Sequence, residues 1–191
     1  MKITPTDTNR LQELFDLSGT TGEPLEISGI FTIQTQLKTN GATILGSIRS
    51  HHGDWNIGGS VFHFKNSENL KTGCIRVTQN PKTFKATYIE NMAFVAYHQS
   101  TPEYPCMVMD ANSVGSVVDN VIIDRAGIGI LFEPSDPTLI RSIGHRFNNI
   151  SIKSFRTAGI KCIEPSKTTD HIFTGMIYLT GKQHNDYINN P

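Results

Sequence analysis

The sequence has no excess of charge of either sign. Its 191 residues contain 17 Lys and Arg against 17 Asp and Glu, so the formal net charge is zero. A protein that relies on a basic surface to neutralise nucleic-acid phosphates is therefore not expected. The chain is long enough for one large domain with a substantial core.

Long apolar runs and paired cysteines are also lacking. No run approaches the roughly 20 apolar residues of a membrane-spanning helix, so membrane insertion is not expected. The first ten residues, MKITPTDTNR, have no apolar signal-peptide core, which makes synthesis in the cytoplasm the default expectation. Cys74, Cys106 and Cys162 are odd in number and have no CxxC spacing. We expect them to be reduced, buried side chains rather than disulfides or zinc ligands.

Helical periodicity is confined to one segment near the start of the chain. Residues 6–19 begin with Thr6 or Asp7 as a capping residue and end at Gly19, a natural stop. Their apolar face comprises Leu11, Leu14, Phe15 and Leu17. Because everything that follows is strand-like, this helix is expected to cover one end of a β structure.

A repeat dominates the rest of the chain. The segments IENMAF, VDNVII and FNNISI each place an Asn two residues after an apolar residue and just before an apolar pair. These residues, Asn91, Asn120 and Asn149, are separated by two equal intervals of 29 residues. Repeats of this length built from short strands and turns are typical of a parallel β-solenoid. Asn tolerates the left-handed conformation of a bend, and its amide can bond to equivalent amides in neighbouring coils.

A family resemblance follows from these segments. The helix with LQELFD, the strands around PLEISGIFTIQTQ, the segment LKTNGATILGS and the Asn repeats resemble the pectate-lyase-like right-handed parallel β-helix superfamily. The N-terminal part resembles bacteriophage tail-spike and tail-fibre depolymerases, and the resemblance covers residues 5–182. It implies a virion tail protein that binds, and often cleaves, bacterial surface polysaccharide for host adhesion. It also implies a homotrimer, contacts with other tail proteins and no cofactor.

The expected fold is therefore all-β, a right-handed parallel β-helix with a short N-terminal capping α-helix. The expected division of the chain is an N-terminal segment with the helix at residues 1–20, the β-helix at 21–182 and a polar tail at 183–191.

Stacked coils would bring carboxylates of a second repeated motif to one corner. Aligning GCIRVTQNP, PCMVMDANS, GIGILFEPS and GIKCIEPS predicts a column of Gln79, Asp110, Glu133 and Glu164. Neighbouring coils lie about 4.8 Å apart. Asp110 and Glu133 would then approach the roughly 5–5.5 Å of a retaining glycosidase pair, and Asp110 and Glu164 the roughly 6.5–9.5 Å of an inverting pair. The alternative is that both glutamates, each before Pro-Ser, only solvate a turn. Asp124, in the stretch IIDRAG that is expected to face outward, is a further candidate acid.

Candidate binding residues lie on a long insertion and beside two strands. The insertion carries Tyr97, His98 and Tyr104, whose rings are suited to stacking on sugars; the alternative is an ordinary surface loop or a subunit contact. Arg125 and Arg156 precede two AGI segments at nearly matching positions and are suited to binding the carboxylate of an acidic sugar. A lyase would use such a basic residue to abstract a proton, but the dense Asp cluster that often accompanies it is lacking.

Metal ligands are not predicted. The adjacent histidines of HHGDW, residues 51–55, would project in different directions, and no third ligand is evident. Three functions remain open: a spike-like protein that binds polysaccharide with glycoside hydrolysis, a non-catalytic receptor-binding or structural virion component, and a cellular polysaccharide lyase or hydrolase.

Overall fold

The computed structural model describes residues 1–48, 59–65, 68–96, 103–110, 113–132, 142–163 and 168–181. A 3-10 helix at Pro5–Arg10 leads into the α-helix α1 at Leu11–Thr21, and a second 3-10 turn spans Glu68–Leu70. The strands are β1 (Lys2–Ile3), β2 (Leu25–Ile27), β3 (Ile30–Ile33), β4 (Leu37–Lys38), β5 (Thr43–Leu45), β6 (Val61–Phe64), β7 (Ile75–Val77), β8 (Tyr88–Glu90), β9 (Ala93–Ala96), β10 (Pro105–Met109), β11 (Val117–Asp124), β12 (Ile128–Phe132), β13 (Ser142–Ile143), β14 (Arg146–Phe155), β15 (Ala158–Cys162), β16 (Thr168–Thr169) and β17 (Ile172–Gly181).

These strands stack in parallel as a solenoid, which confirms the expected fold class. Column one contains β2, β5, β8 and the first halves of β11, β14 and β17. Column two contains β3, β6, β9 and the second halves of the same three long strands. Column three contains β4, β7, β10, β12 and β15. In the part of the chain that the structure describes, no helix is long and apolar enough to cross a membrane.

The repeated asparagines form the bend between columns one and two. Asn91, Asn120 and Asn149 have φ values of 56°, 48° and 52°, which is the left-handed region that Asn tolerates. The amide of Asn120 donates a hydrogen bond to Oδ1 of Asn91 at 2.7 Å. Oδ1 of Asn149 accepts the backbone N–H of Met176 at 3.1 Å. The strand register places the three residues in line, so the 29-residue repeat is confirmed as one coil of the solenoid.

Aromatic stacking fills the core of the first coils. Phe31, Phe62 and Phe94 occupy the same register position on β3, β6 and β9, and all three are fully buried. Their ring centroids are separated by 5.2 Å and 5.9 Å in edge-to-face geometry. Such pairs add to the free energy gained from apolar burial alone.

The helix covers the N-terminal end of the core, as expected, but its boundaries differ from the prediction. The α-helix ends at Thr21 and is capped by Gly22, whose φ is 83° and whose N–H donates to the Ser18 carbonyl at 2.8 Å. Gly19, the predicted stop, lies inside the helix. A glycine is needed there because a Cβ would meet the carbonyl oxygen of Asn40. Leu17, assigned to the apolar face, is exposed.

The start of the helical segment also lies earlier than predicted. The 3-10 turn begins after Thr4, and the Asp7 carboxylate accepts the backbone N–H of Thr4 at 3.0 Å. Thr6 and Asp7 lie within the turn, so neither is its N-cap. The chain thus enters α1 through a tight turn that packs against β3.

One cysteine departs from the sequence-based expectation. Cys74 and Cys106 are buried, whereas Cys162 is exposed, and all three are free. Cys162 is in register with the buried Phe132, but β15 is the terminal strand of its five-stranded sheet. The residue therefore occupies a core position that no described strand covers.

Candidate functional site

Asp124 lies at the C-terminal end of β11, on the outer face of column two. It shares that face with Ile122, whereas Ile123 between them belongs to the main core. The chain turns at Arg125, which has a φ of 59°. Although the face points outward, Asp124 is only 3% exposed. The sequence thus locates this acid correctly on an outer face without indicating its burial.

The pKa of the Asp124 carboxyl is raised above its ordinary value. Burial is the main cause, and it outweighs the hydrogen bond from Ser154 and the positive charges of Arg125 and Lys153. Nε of Arg125 lies 3.5 Å from Oδ2 of Asp124, while the buried Oδ1 has no hydrogen-bond partner. A carboxyl with a raised pKa and an open oxygen can donate a proton. We call Asp124, Arg125, Lys153 and Ser154 the Asp124 cluster.

A histidine of an earlier coil belongs to the same outer row. The register aligns His63 with Val95, Val95 with Asp124, and Asp124 with Lys153. Burial lowers the pKa of His63, and the charge of Arg125 lowers it further. The lowered pKa favours the neutral form of the His63 ring. The positive charges next to Asp124 are those of Arg125 and Lys153, and they favour binding of a negatively charged group at this place.

Asp110 has a different environment from Asp124. It is buried at the end of column three, where Nη1 of Arg76 lies 2.8 Å from its Oδ2. The register pairs Met109 with Val77, so the residue that follows in the preceding coil is Thr78, and the predicted alignment with Gln79 is wrong by one residue. An ion pair between neighbouring coils gives Asp110 a structural role, and its catalytic role stays a prediction.

The other predicted column members and part of the binding set lie outside the described residues. These are Glu133, Glu164, Tyr97 and His98. The last register pair of β12 and β15 is Phe132 with Cys162. Ile163 follows Cys162 and is one residue before Glu164 in the chain.

The remaining predicted binding residues lie at the bend that precedes column three. The hydroxyl of Tyr104 donates to the Glu68 carboxylate at 3.3 Å, and its carbonyl accepts the backbone N–H of Ile128 at 3.0 Å. The backbone N–H of Arg156 donates to the Ala126 carbonyl at 3.1 Å, one coil beyond Arg125. The structure thus brings the two arginines and Tyr104 to the same bend in neighbouring coils.

A polar row on the outer face of column one was missed by the sequence reasoning. We call Glu90, Asp119, Asn148 and Thr174 the acid–amide row; they occupy equivalent positions in successive coils. Nδ2 of Asn148 donates to Oδ1 of Asp119 at 2.9 Å, and the Thr174 hydroxyl donates to Oδ1 of Asn148 at 3.2 Å. The first three members directly precede the repeated asparagines, so the signal lay inside the repeat itself.

An aromatic side chain flanks this row. The hydroxyl of Tyr88 donates to Oε2 of Glu90 at 3.0 Å, and the two residues are half-buried. Burial raises the pKa of Tyr88, as do the bond to Glu90 and the charges of Glu90 and Asp119. Asp119 is also half-buried and uses one carboxylate oxygen for Asn148, which leaves Oδ2 for a ligand.

Among the described side chains, no group of three or more His, Cys, Asp or Glu residues is arranged to hold a metal ion. The fold defines the class of protein, a parallel β-solenoid compatible with the pectate-lyase-like superfamily. Comparisons with protein-family models, curated proteins and solved structures find no match to the chain.

Proposed function

We propose that the protein binds bacterial surface polysaccharide as a component of a bacteriophage tail spike. The observation that carries the binding proposal is the acid–amide row, a line of hydrogen-bonding side chains on a rigid outer face. The tail assignment and the contacts with other tail proteins come from the resemblance of the N-terminal segments, which also implies a homotrimer.

The row suits an extended carbohydrate for a geometric reason. Stacked strands repeat at about 4.8 Å, so Glu90, Asp119 and Asn148 present acceptors at regular intervals along the solenoid. Sugar hydroxyls donate to carboxylate and amide oxygens, and bonds to charged acceptors are the stronger ones. The ring of Tyr88 adds a face next to these polar groups, a combination suited to sugar recognition.

Removing the acids of the row is expected to weaken polysaccharide binding. Glu90→Ala and Asp119→Ala each delete an acceptor whose hydrogen bond contributes about 1.5–3 kcal/mol, which corresponds to roughly 10- to 100-fold in Kd. Binding to purified capsule and lipopolysaccharide would be measured by calorimetry or surface plasmon resonance.

Glu26→Ala is the matched control, because Glu26 is an exposed carboxylate of column one on an earlier coil. It should leave Kd unchanged. Equal losses in all three variants, or no binding to the polysaccharide of any bacterial host offered, would overturn the proposal.

A second candidate function, glycoside hydrolysis, is favoured by the raised pKa of Asp124. A general acid must be protonated before it can donate to the leaving oxygen, and burial favours that state at Asp124. The two neighbouring positions in the row are Val95 and Lys153, so neither supplies a second carboxylate beside Asp124. Without hydrolysis, the protein is a non-catalytic receptor-binding component.

Asp124→Asn should separate these functions. It is expected to lower the release of reducing ends on the order of a hundred- to ten-thousand-fold while polysaccharide binding persists. In the wild type, release should decline as pH rises through the raised pKa of Asp124, because the acid loses its proton. Unsaturated products detected by ultraviolet absorbance would indicate a lyase instead, and release unaffected by the substitution would exclude Asp124 as the acid.

A further inference from the structure

The last described strand of the long sheet exposes a large apolar surface. β17 pairs with β14 on one side, and no described strand pairs with its other edge. Large side chains at this end are between 38% and 54% exposed: Ile163, Ile172, Phe173, Met176, Tyr178 and Leu179. A contiguous apolar patch of this kind marks an interaction site.

The composition of β17 is unusual for a free edge. Its ten residues, IFTGMIYLTG, contain no charge and no proline. The preceding strands of the column do carry charges, with Asp119 and Asp124 on β11 and Arg146 and Lys153 on β14. Charges and prolines are the features that normally prevent one edge strand from pairing with another. β17 lacks this protection at the position where it is most needed.

We infer that the chain forms a dimer instead of the homotrimer that the resemblance implies. The C-terminal end of the solenoid binds the same end of a second copy, with the two β17 edges pairing antiparallel across a two-fold axis. The opposite end of the solenoid offers a less apolar surface, because α1 buries Leu11, Leu14 and Phe15 against the core there. An isologous contact between two C-terminal ends therefore covers more apolar surface than a head-to-tail contact, and it closes the assembly at two copies.

The available area is sufficient for a stable dimer. The exposed half of a large side chain has an accessible surface area of roughly 100 Å². The six residues at this end thus supply about 600 Å² per copy, or about 1,200 Å² in total, which reaches the lower limit of specific interfaces. The absence of charge on β17 means that two copies meet without like-charge repulsion.

Light scattering coupled to size exclusion on the full 191-residue chain tests the inference, which is independent of glycan binding. The wild type is expected to be a dimer at high concentration, and Met176→Lys should shift it to monomer by raising Kd at least 100-fold. Val114→Lys is the matched control, because Val114 is similarly exposed outside this end of the solenoid. Circular dichroism would verify that both variants fold.

Labelling of the Cys162 thiol gives a second readout at the same end, since Cys74 and Cys106 are buried. Its labelling rate should fall as wild-type concentration rises, and it should stay constant for Met176→Lys. A monomer at every concentration would overturn the inference, whether residues 182–191 or nothing covers the surface. So would a dimer or a trimer whose mass Met176→Lys does not change.

Discussion

Replacing Phe62 by alanine is expected to lower the free energy of unfolding by about 3–5 kcal/mol, the cost of a large cavity in a packed core. Phe62 is fully buried on β6. Its ring centroid lies 5.2 Å from Phe31, 5.9 Å from Phe94, and 6.3 Å from both Phe64 and Phe15. The residue therefore joins the cap helix to three strands of column two, and neighbours fixed on stacked strands cannot collapse into the space.

Urea unfolding followed by circular dichroism measures this loss. Phe84→Ala is the control, because Phe84 is 72% exposed and its removal creates no cavity. A change below about 0.5 kcal/mol is expected there. Equal midpoints for the two variants would mean that the aromatic stack does not contribute as the geometry indicates.

Local backbone requirements made the fold predictable from the sequence. Asn91, Asn120 and Asn149 each occupy a bend that requires a left-handed conformation. Asn tolerates this conformation, so the residue type alone satisfies the requirement. A requirement that repeats every 29 residues can be recognised in the sequence without knowing which residues of neighbouring coils are in contact. The same repeat placed Glu90 and Asp119 in line, although their pairing became evident only from the strand register.

Properties that depend on neighbouring coils could not be predicted in this way. Gly19 resembles a helix stop in sequence, but it is required because the Asn40 carbonyl lies against it. Cys162 has the pattern of a core residue, but its strand is the last of its sheet. Asp110 and Asp124 are both buried acids at the ends of strands, yet Asp110 forms an ion pair with Arg76 of the preceding coil, whereas Oδ1 of Asp124 has no hydrogen-bond partner. Charge and burial at such positions are set by residues about 30 positions away.

Acidification below about pH 6.5 is expected to destabilise the protein through His145. The ring is fully buried, its Nδ1 accepts the backbone N–H of Ser116 at 3.1 Å, and it stacks on His171 with centroids 5.1 Å apart. Burial is the main cause that lowers the pKa of His145 to about 3; the charge of His171 contributes in the same direction, and a hydrogen bond to the Ser113 backbone opposes both. Burial also lowers the pKa of His171, which stacks on Phe132, and the charge of Asp170 opposes this shift.

The direction of the effect follows from proton binding. The unfolded chain takes up a proton at His145 near its ordinary pKa of about 6.5, whereas the folded chain does so near 3. Between these values the unfolded state holds more protons, so the stability present above pH 6.5 falls by about 1.4 kcal/mol for each pH unit of acidification. Asp124 acts in the opposite direction, because its raised pKa makes the folded state take up a proton first as pH falls.

Comparison of the wild type with His145→Gln isolates the contribution of this ring. The Gln amide oxygen can still accept the Ser116 N–H, and it does not titrate. The free energy of unfolding of His145→Gln would be measured with urea from about pH 7.5 to 4.5. It should decline less steeply than that of the wild type, by about 1.4 kcal/mol per pH unit. His63→Gln should flatten the curve less, because His63 is only half-buried on the outer face. Parallel curves for the wild type and His145→Gln would show that protonation of His145 does not cause the loss of stability. The loss would then come from groups elsewhere in the chain.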